Sequence, residues 1–289
     1  MTSDAKFARL QELLRSYGSC LIAYSGGVDS VFLAHVAHAV LGERALAVIA
    51  DSPSLPRREL SEAVAVAEQF RIPLRVVRTA EFSDPGYLAN PTNRCYFCKH
   101  ALFTELLPVA REGAFAVIAY GENASDVGDH RPGAAAAQEF AVRAPLKEAG
   151  LTKPEIRELS ARLGLPTADK PQLACLSSRI PTGEAVTPEK LHRIEQAEEF
   201  LRGLGFHDLR VRHHELRLGC LARIEVGTAE LPRLLDGDLA AQVAGRFREI
   251  GYTEVTLDLL GYRRGSTNGV SAAARPQPAP IAFRRPAGP

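Results

Sequence analysis

The sequence lacks the features that mark several special classes of protein. Its formal net charge is only +1, which gives no overall electrostatic case for binding nucleic acid. No stretch approaches the roughly 20 apolar residues of a membrane span, and the N-terminus has no continuous apolar segment of the signal-peptide kind. Its five cysteines are an odd number and do not suggest a disulfide framework. We therefore expect a cytoplasmic protein with neither a membrane nor a nucleic-acid partner.

The chain has enough apolar residues to form a globular protein of about two domains, since 46% of its 289 residues are hydrophobic. Short apolar runs alternate with helical patterns near 29–41, 56–70 and 99–112. This alternation predicts an α/β fold with a doubly wound, mostly parallel sheet. The strands are expected in the runs CLIAY, ALAVIA, LRVV and FAVIAY.

Composition changes along the chain suggest where its parts begin and end. We expect a nucleotide-binding domain over 1–170, a functional loop over 171–187 and a smaller α+β domain over 188–267. The segment 268–289 is rich in Pro and Ala, and we expect it to be disordered. Thr152 and Glu155 have capping-box spacing, and Thr187 with Pro188 predicts another helix start.

The segment SGGVDS, residues 25–30, follows the first predicted strand and opens a helix. Backbone N–H groups at a helix N-terminus bind phosphate, and glycines let the backbone approach it closely. The segment lacks the lysine of the Walker loop, which argues against simple γ-phosphate hydrolysis. It resembles the motif of the PP-loop ATP pyrophosphatases, which cleave ATP between the α- and β-phosphates.

Cys95 and Cys98 lie two residues apart in NRCYFCKH. Two thiols at this spacing suit half of a zinc site, a redox pair or an anchor for something more reactive. A zinc site would need further ligands, for which His100 or His130 with Cys175 are candidates. The spacing alone leaves these alternatives open.

Further motifs narrow the resemblance to one family. NRCYFCK, GENASDVGDHRPG, ADSPSLPRREL and PQLACLSSRIPTGEAVTPEKL, with the C-terminal LRVRHH, ARIEV and TLDLLGYRRGS, closely resemble the LarE family of sulfur transferases. The similarity runs from about residue 6 to 267. It implies adenylation of the carboxylates of pyridinium-3,5-biscarboxylic acid mononucleotide and their conversion to thiocarboxylates, a step toward the nickel-pincer cofactor of lactate racemase. We also expect a homo-oligomer.

The resemblance implies roles for individual residues. ATP contacts are expected at Ser25, Gly26, Gly27, Asp29, Ser30, Asp51, Ser52, Gly121, Asn123 and Asp126. Asp29 or Asp126 is expected to help hold Mg²⁺, because carboxylate oxygens suit that ion. Substrate contacts are expected at Arg179, Arg210, Arg212 and Glu225.

Cys175 corresponds to the sulfur-donating cysteine of the family, and Arg179 and Lys170 would favour its thiolate if the loop folds them inward. In sacrificial members its sulfur is spent and dehydroalanine remains. This chain adds Cys95 and Cys98, as in members that resemble cluster-dependent thiolases. The resemblance therefore also implies a [4Fe-4S] cluster held by Cys95, Cys98 and Cys175, with one iron left open for sulfide.

Two other readings stay open. A tRNA thiolase or an amide-forming ligase would use the same SGGVDS segment, residues 25–30, which we call the phosphate loop. A tRNA thiolase would need a basic RNA-binding surface, and an amide-forming ligase would need an ammonia source. A regulatory module that binds zinc or a nucleotide would use Cys95 and Cys98 structurally.

Overall fold

The computed structural model describes residues 1–126, 132–171 and 174–263. The strands are β1 Cys20–Tyr24, β2 Ala45–Asp51, β3 Leu74–Arg78, β4 Val117–Tyr120, β5 Leu209–Leu216, β6 Gly219–Val226 and β7 Glu254–Leu257. The helices are α1 Ser3–Tyr17, α2 Val28–Leu41, α3 Arg57–Gln69, α4 Pro85–Leu88, α5 Arg94–Glu112, α6 Pro132–Glu139, α7 Pro145–Glu148, α8 Lys153–Arg162, α9 Pro188–Gly203, α10 Leu231–Leu234 and α11 Gly237–Ile250.

The predicted parallel sheet is confirmed. In the described part of the chain, four parallel strands lie in the order β3-β2-β1-β4. All five residues of β1 are buried, as expected for a central strand covered by helices on both faces. At the edge, β3 exposes three of its five residues, Arg75, Val76 and Arg78. Because the strands are parallel, their carboxyl ends meet at one rim, where ligands bind in such folds.

Helix α2 is buried on most of its surface, with nine of its 14 residues in the interior. It packs between the sheet and the outer helices α1 and α8. Leu10 and Leu14 from α1 and Ile156 from α8 belong to the same hydrophobic core as Phe32 of α2. The helix that follows the phosphate loop is therefore held rigidly beneath the rim.

The second sheet has the order β5-β6-β7. Strands β5 and β6 are antiparallel, β6 and β7 are parallel, and helices α9 and α11 contribute to a separate core that includes Phe206 and Phe247. The predicted α+β arrangement of this region is thus observed. The tail expected to be disordered, 268–289, lies outside the described residues, and the domain boundaries stay predictions.

Two local predictions differ in outcome. The helix start at Thr187 is confirmed, since the Thr187 side chain accepts a hydrogen bond from the Lys190 backbone N–H. The helix expected near 99–112 begins earlier, at Arg94, so Cys95 and Cys98 lie in the first turns of α5. Residues three apart lie on the same helix face, so both thiols point in similar directions.

None of the described helices is long and apolar enough to cross a membrane.

The predicted capping box at the start of α8 is confirmed and extended by an ion pair. The Thr152 backbone N–H donates to Glu155 Oε2 at 2.8 Å, and Lys6 Nζ lies 2.7 Å from Glu155 Oε1. Partial burial acts to raise the pKa of Glu155, but the hydrogen bonds from Lys6 and Thr152 outweigh it and lower that pKa from 4.5 to about 2.

Replacing Glu155 with Gln is therefore expected to lower the free energy of unfolding by about 1 kcal/mol near neutral pH. A carboxylate with a lowered folded-state pKa stabilises the fold above pH 4.5, and this contribution is lost as the pH falls toward 2. Urea unfolding of E155Q and wild type should thus converge below pH 4.5. Glu158→Gln, on an exposed part of the same helix, is the control, and a difference that persists unchanged in acid would contradict the assignment.

Candidate active site

The phosphate loop has the conformation that its sequence predicts. Gly26 has φ +69°, and a Cβ there would come within 2.6 Å of the Ala63 Cβ, so this position requires glycine. Ser30 Oγ accepts a hydrogen bond from the Ser25 backbone N–H at 3.1 Å and donates one to the Gly27 carbonyl at 3.0 Å. The loop is thereby closed on itself at the N-terminus of α2, where backbone N–H groups can donate hydrogen bonds to phosphate oxygens.

Asp29, in the first turn of α2, pairs with a lysine that the sequence did not single out. Lys153 Nζ lies 2.6 Å from Asp29 Oδ2, and both side chains are largely buried. Since Lys153 also begins α8, the ion pair places a cation next to the phosphate loop. This position suits an ammonium group that neutralises phosphate charge.

The end of β4 brings three further predicted residues to the same rim. A Cβ on Gly121 would lie 3.1 Å from the Ser30 backbone N, so glycine allows β4 to approach the loop. Asn123 is buried, and its backbone N–H donates to Asp126 Oδ2 at 3.1 Å. These residues lie at the rim where a nucleotide is expected, while their direct contacts with ATP and Mg²⁺ stay predictions.

The two predicted residues at the end of β2 face different surroundings. Ser52 borders the large cavity described below, whereas Asp51 borders a smaller one with Arg78 and pairs with Arg57. Successive strand residues point to opposite faces, which explains the separation. The structure thus brings Ser52, but not the Asp51 side chain, toward the phosphate loop.

A cavity of about 890 Å³ lies beyond the carboxyl ends of the parallel strands. Residues from the first sheet, from α5 and from the C-terminal region all contribute to its wall. The predicted site residues among them are Ser25, Ser52, Cys98, Cys175, Arg179 and Arg210. One cavity therefore adjoins both the phosphate loop and Cys175.

Cys175 is half-buried and lies near both cysteines of α5. Its charge contributes to raising the pKa of Cys95 and of Cys98, second only to burial in each case. Cys95 presents part of its surface to solvent, yet the protein atoms around its thiol raise its pKa. The pKa of Cys98 rises to about 12, so both thiols are protonated near neutral pH.

Of the two cations expected beside Cys175, Arg179 interacts electrostatically with it, and a third cation, Arg94, reaches its sulfur. Arg94 Nη2 lies 3.9 Å from Cys175 Sγ, and its Nη1 donates to the Ser177 carbonyl at 3.1 Å. Lys170 Nζ instead lies between two carboxylates, 2.7 Å from Glu59 and 3.0 Å from Glu62. Arg94 therefore connects α5 to the Cys175 segment and places a positive charge beside the Cys175 sulfur.

The three thiols fit an iron-sulfur cluster by their chemistry and by their common neighbourhood. Thiolates are the usual ligands of such clusters, and three of them would leave one iron open. Within residues 1–126, 132–171 and 174–263, however, no group of three or more His, Cys, Asp or Glu side chains is arranged to hold a metal ion. His130, a candidate zinc ligand, lies outside these ranges. Binding a cluster would therefore require the three sulfurs to move together.

The side chain of Arg179 is buried and bonds to other groups of the protein. It forms a two-bond ion pair with Glu198, at 2.8 and 3.0 Å, and its Nη1 donates to the carbonyls of Ala174 and Cys175 at 2.7 and 3.0 Å. Glu198 also accepts a hydrogen bond from the Val211 backbone N–H at 3.1 Å. This pair fixes the backbone on which Cys175 lies, and direct contact of Arg179 with substrate stays a prediction.

The remaining predicted substrate residues lie on neighbouring strands β5 and β6. Arg212 is buried, forms an ion pair with Glu225 at 2.8 Å and donates to the Ser178 carbonyl at 3.0 Å. Arg210 borders the cavity with its guanidinium 4.9 Å from the centroid of the Tyr262 ring. Burial, followed by the charge of Arg179, lowers the pKa of Arg210, which indicates a site that favours an anion. Arg210 is thus better placed than Arg212 to meet a phosphate or carboxylate.

Sequence reasoning missed Arg94, Lys153 and Glu198 as parts of the site. Their partners lie far away in the chain: Lys153 pairs with Asp29 across 124 residues, and Arg94 contacts Cys175 across 81. The arginine beside Cys95 was visible, but no local pattern indicates that it reaches Cys175.

Comparisons with known proteins identify relatives along nearly the whole chain. No protein-family model matches it. An uncharacterized protein of Synechocystis sp. is 43% identical over 267 residues, which cover 92% of this chain and 98% of that protein. An uncharacterized protein of Methanocaldococcus jannaschii is 27% identical over 243 residues, 84% of this chain and 90% of that protein.

A third relative has an assigned activity. It is pyridinium-3,5-bisthiocarboxylic acid mononucleotide synthase of Lactiplantibacillus plantarum, which is 30% identical over 278 residues, 95% of this chain and 98% of the synthase. Identity of this extent, together with a parallel α/β sheet and a cavity that joins the phosphate loop to Cys175, shows that the chain belongs to the LarE family of sulfur transferases in pincer-cofactor biosynthesis.

Proposed function

We propose that this protein uses ATP to convert the carboxylates of pyridinium-3,5-biscarboxylic acid mononucleotide to thiocarboxylates, releasing AMP and pyrophosphate. The observation that carries the proposal is the single cavity that Ser25 of the phosphate loop shares with Cys175 and Cys98. An acyl carbon activated at the phosphate loop would lie within the same enclosure as the sulfur donor. Proximity of this kind is a large part of enzymatic rate enhancement.

In the first half-reaction, a substrate carboxylate oxygen attacks the α-phosphorus of ATP and pyrophosphate leaves. The backbone N–H groups of the phosphate loop and Lys153 stabilise the pyrophosphate charge, and Asp29 or Asp126 would hold Mg²⁺, whose charge would add to this stabilisation. Arg210 binds an anionic group of the mononucleotide. The product is an acyl adenylate, whose AMP is a much better leaving group than an oxide.

In the second half-reaction, a sulfur nucleophile attacks the acyl carbon and AMP leaves. In the sacrificial route, the Cys175 thiolate forms a thioester; loss of the Cys175 Cα proton then breaks its Cβ–S bond, releasing the thiocarboxylate and leaving dehydroalanine. In the other route, Cys95, Cys98 and Cys175 would hold a [4Fe-4S] cluster, and its open iron would carry the sulfide used as the nucleophile. Arg94 stabilises the charge on Cys175 in both routes.

Replacing Cys175 with Ser separates the two half-reactions. We expect C175S to release pyrophosphate at a rate near that of wild type when given ATP, Mg²⁺ and the biscarboxylate mononucleotide, but to form no thiolated product. Mass spectrometry of the wild type distinguishes the routes, because conversion of Cys175 to dehydroalanine removes about 34 Da from the protein. Wild-type protein that releases no pyrophosphate would refute the proposed function.

The cluster route predicts a specific dependence on the α5 cysteines. After anaerobic incubation with iron and sulfide, we expect the wild type to become brown and to hold about four irons, and Cys95→Ser and Cys98→Ser to lose this capacity. Cys220→Ser is the control, because Cys220 is buried in the second core. A colourless protein that holds zinc instead would support the regulatory-module reading.

Lys153 provides a test of the nucleotide half of the site. We expect Lys153→Met to lower kcat/KM for ATP by about tenfold or more, since a charge-assisted hydrogen bond contributes about 1.5–3 kcal/mol. The matched control is Lys190→Met, which removes a similarly buried lysine paired with Glu215 on the C-terminal part of the chain. Equal effects of the two substitutions on pyrophosphate release would contradict the assignment.

A further inference from the structure

A buried carboxylate without an assigned role borders the cavity. Glu81 follows β3 and is only 1% exposed. One of its oxygens accepts a hydrogen bond from the Ser52 hydroxyl, while the other has no hydrogen-bond partner among the described residues. Burying a carboxylate with so few hydrogen bonds is costly, so its position at the cavity wall needs a physical reason.

Glu81 sets the direction of a chain of buried hydroxyl groups. The Ser52 hydroxyl donates its single proton to Glu81 Oε1. Ser52 Oγ and Ser54 Oγ are 2.9 Å apart, and Ser54 must then donate to Ser52. The Tyr87 side chain interacts with that of Ser54 and forms a hydrogen bond with the Ser177 hydroxyl.

This chain ends on the segment that carries Cys175. Tyr87 and Ser177 hydroxyl oxygens are 2.8 Å apart, and the Leu176 backbone N–H donates to the Ser54 carbonyl at 2.9 Å. Two hydrogen bonds therefore hold the two residues directly after Cys175. Both lead back to Ser54, whose own backbone N–H donates to Ser52 Oγ at 3.1 Å.

We propose that Glu81 is a positioning residue for Cys175, which it fixes through Ser52, Ser54 and Tyr87. Ser52 accepts from the Ser54 backbone N–H while it donates to Glu81, and each bond in such a chain polarises the next. The Ser52 and Ser54 hydroxyl groups then cannot exchange their donor and acceptor roles. The segment after Cys175 is thereby held in one arrangement. This proposal rests on the proposed function, because it concerns the step in which the Cys175 sulfur site reacts.

The test measures both half-reactions in variants of the hydrogen-bonded side chains that run from Glu81 to Ser177. Glu81→Leu removes the terminal acceptor, and Tyr87→Phe breaks the link to Ser177. We expect each to slow thiocarboxylate formation by about tenfold or more, as small misplacements of reacting groups do, while KM for ATP and the rate of pyrophosphate release stay within about twofold of wild type. Glu81→Gln, which still offers Ser52 an acceptor, should restore most of the rate.

The control is Tyr252→Phe, which removes a buried hydroxyl that has no hydrogen-bond partner among the described residues and lies in the second core. It should leave both half-reactions unchanged. The double variant Glu81→Leu/Tyr87→Phe should be no slower than the worse single variant, since both cut the same chain. Additive losses, or a raised KM for ATP with normal sulfur transfer, would overturn the proposal.

A second readout does not depend on activity. The rate at which iodoacetamide alkylates Cys175, followed by mass spectrometry without ATP, should change in Glu81→Leu and Tyr87→Phe while the rate at Cys95 in the same sample does not. Unchanged rates at Cys175 would overturn the positioning role even if the wild type proved to lack the proposed activity. An active wild type whose variants keep normal thiocarboxylate formation would overturn it while leaving the proposed function intact.

Discussion

The position of Cys175 depends on the buried ion pair between Arg179 and Glu198. Both side chains are almost fully buried, and taking two charges out of water costs several kcal/mol per ion unless good geometry and further hydrogen bonds compensate. Here the two-bond pairing is joined by the bonds from Arg179 to the Ala174 and Cys175 carbonyls. We interpret the pair as specifying one arrangement of the Cys175 segment against α9 and β5 more than as adding stability.

The same segment is held from the opposite side by the first sheet. Leu176 bonds to Ser54 after β2, and Arg94 of α5 bonds to the Ser177 carbonyl. Contacts from both sheets thus converge within three residues of Cys175. A change in the relative position of the two sheets would therefore move the Cys175 sulfur, so the packing of the two sheets sets the geometry of sulfur transfer in the proposed reaction.

The sequence predicts the parts of this molecule that depend on local patterns. The runs CLIAY and ALAVIA correspond to β1 and most of β2, and Thr152 with Glu155 forms the expected capping box. The phosphate loop could be found because its glycines and serines are contiguous in the chain. The resemblance to a known family also indicated Cys175, since its motif is local.

The sequence does not predict side-chain contacts between residues that lie far apart in the chain. Lys153 and Asp29, Arg94 and Cys175, and Arg179 and Glu198 meet only after the parallel strands and α9 have packed. The start of α5 was also expected too late in the chain, because NRCYFCKH contains residues that suit either a turn or a helix start. Charged side chains in particular have many potential partners, and tertiary packing decides among them.

The helical setting of Cys95 and Cys98 bears on the redox alternative. Reactive Cys-x-x-Cys pairs use a thiol of lowered pKa, which a helix N-terminus favours. That effect is worth at most about 2 kcal/mol, which corresponds to little more than one pKa unit. Burial outweighs it at Cys98, whose pKa is about 12. A neutral thiol is a poor nucleophile but loses its proton on binding a metal, so the pair suits ligands for a soft metal better than a self-contained redox couple.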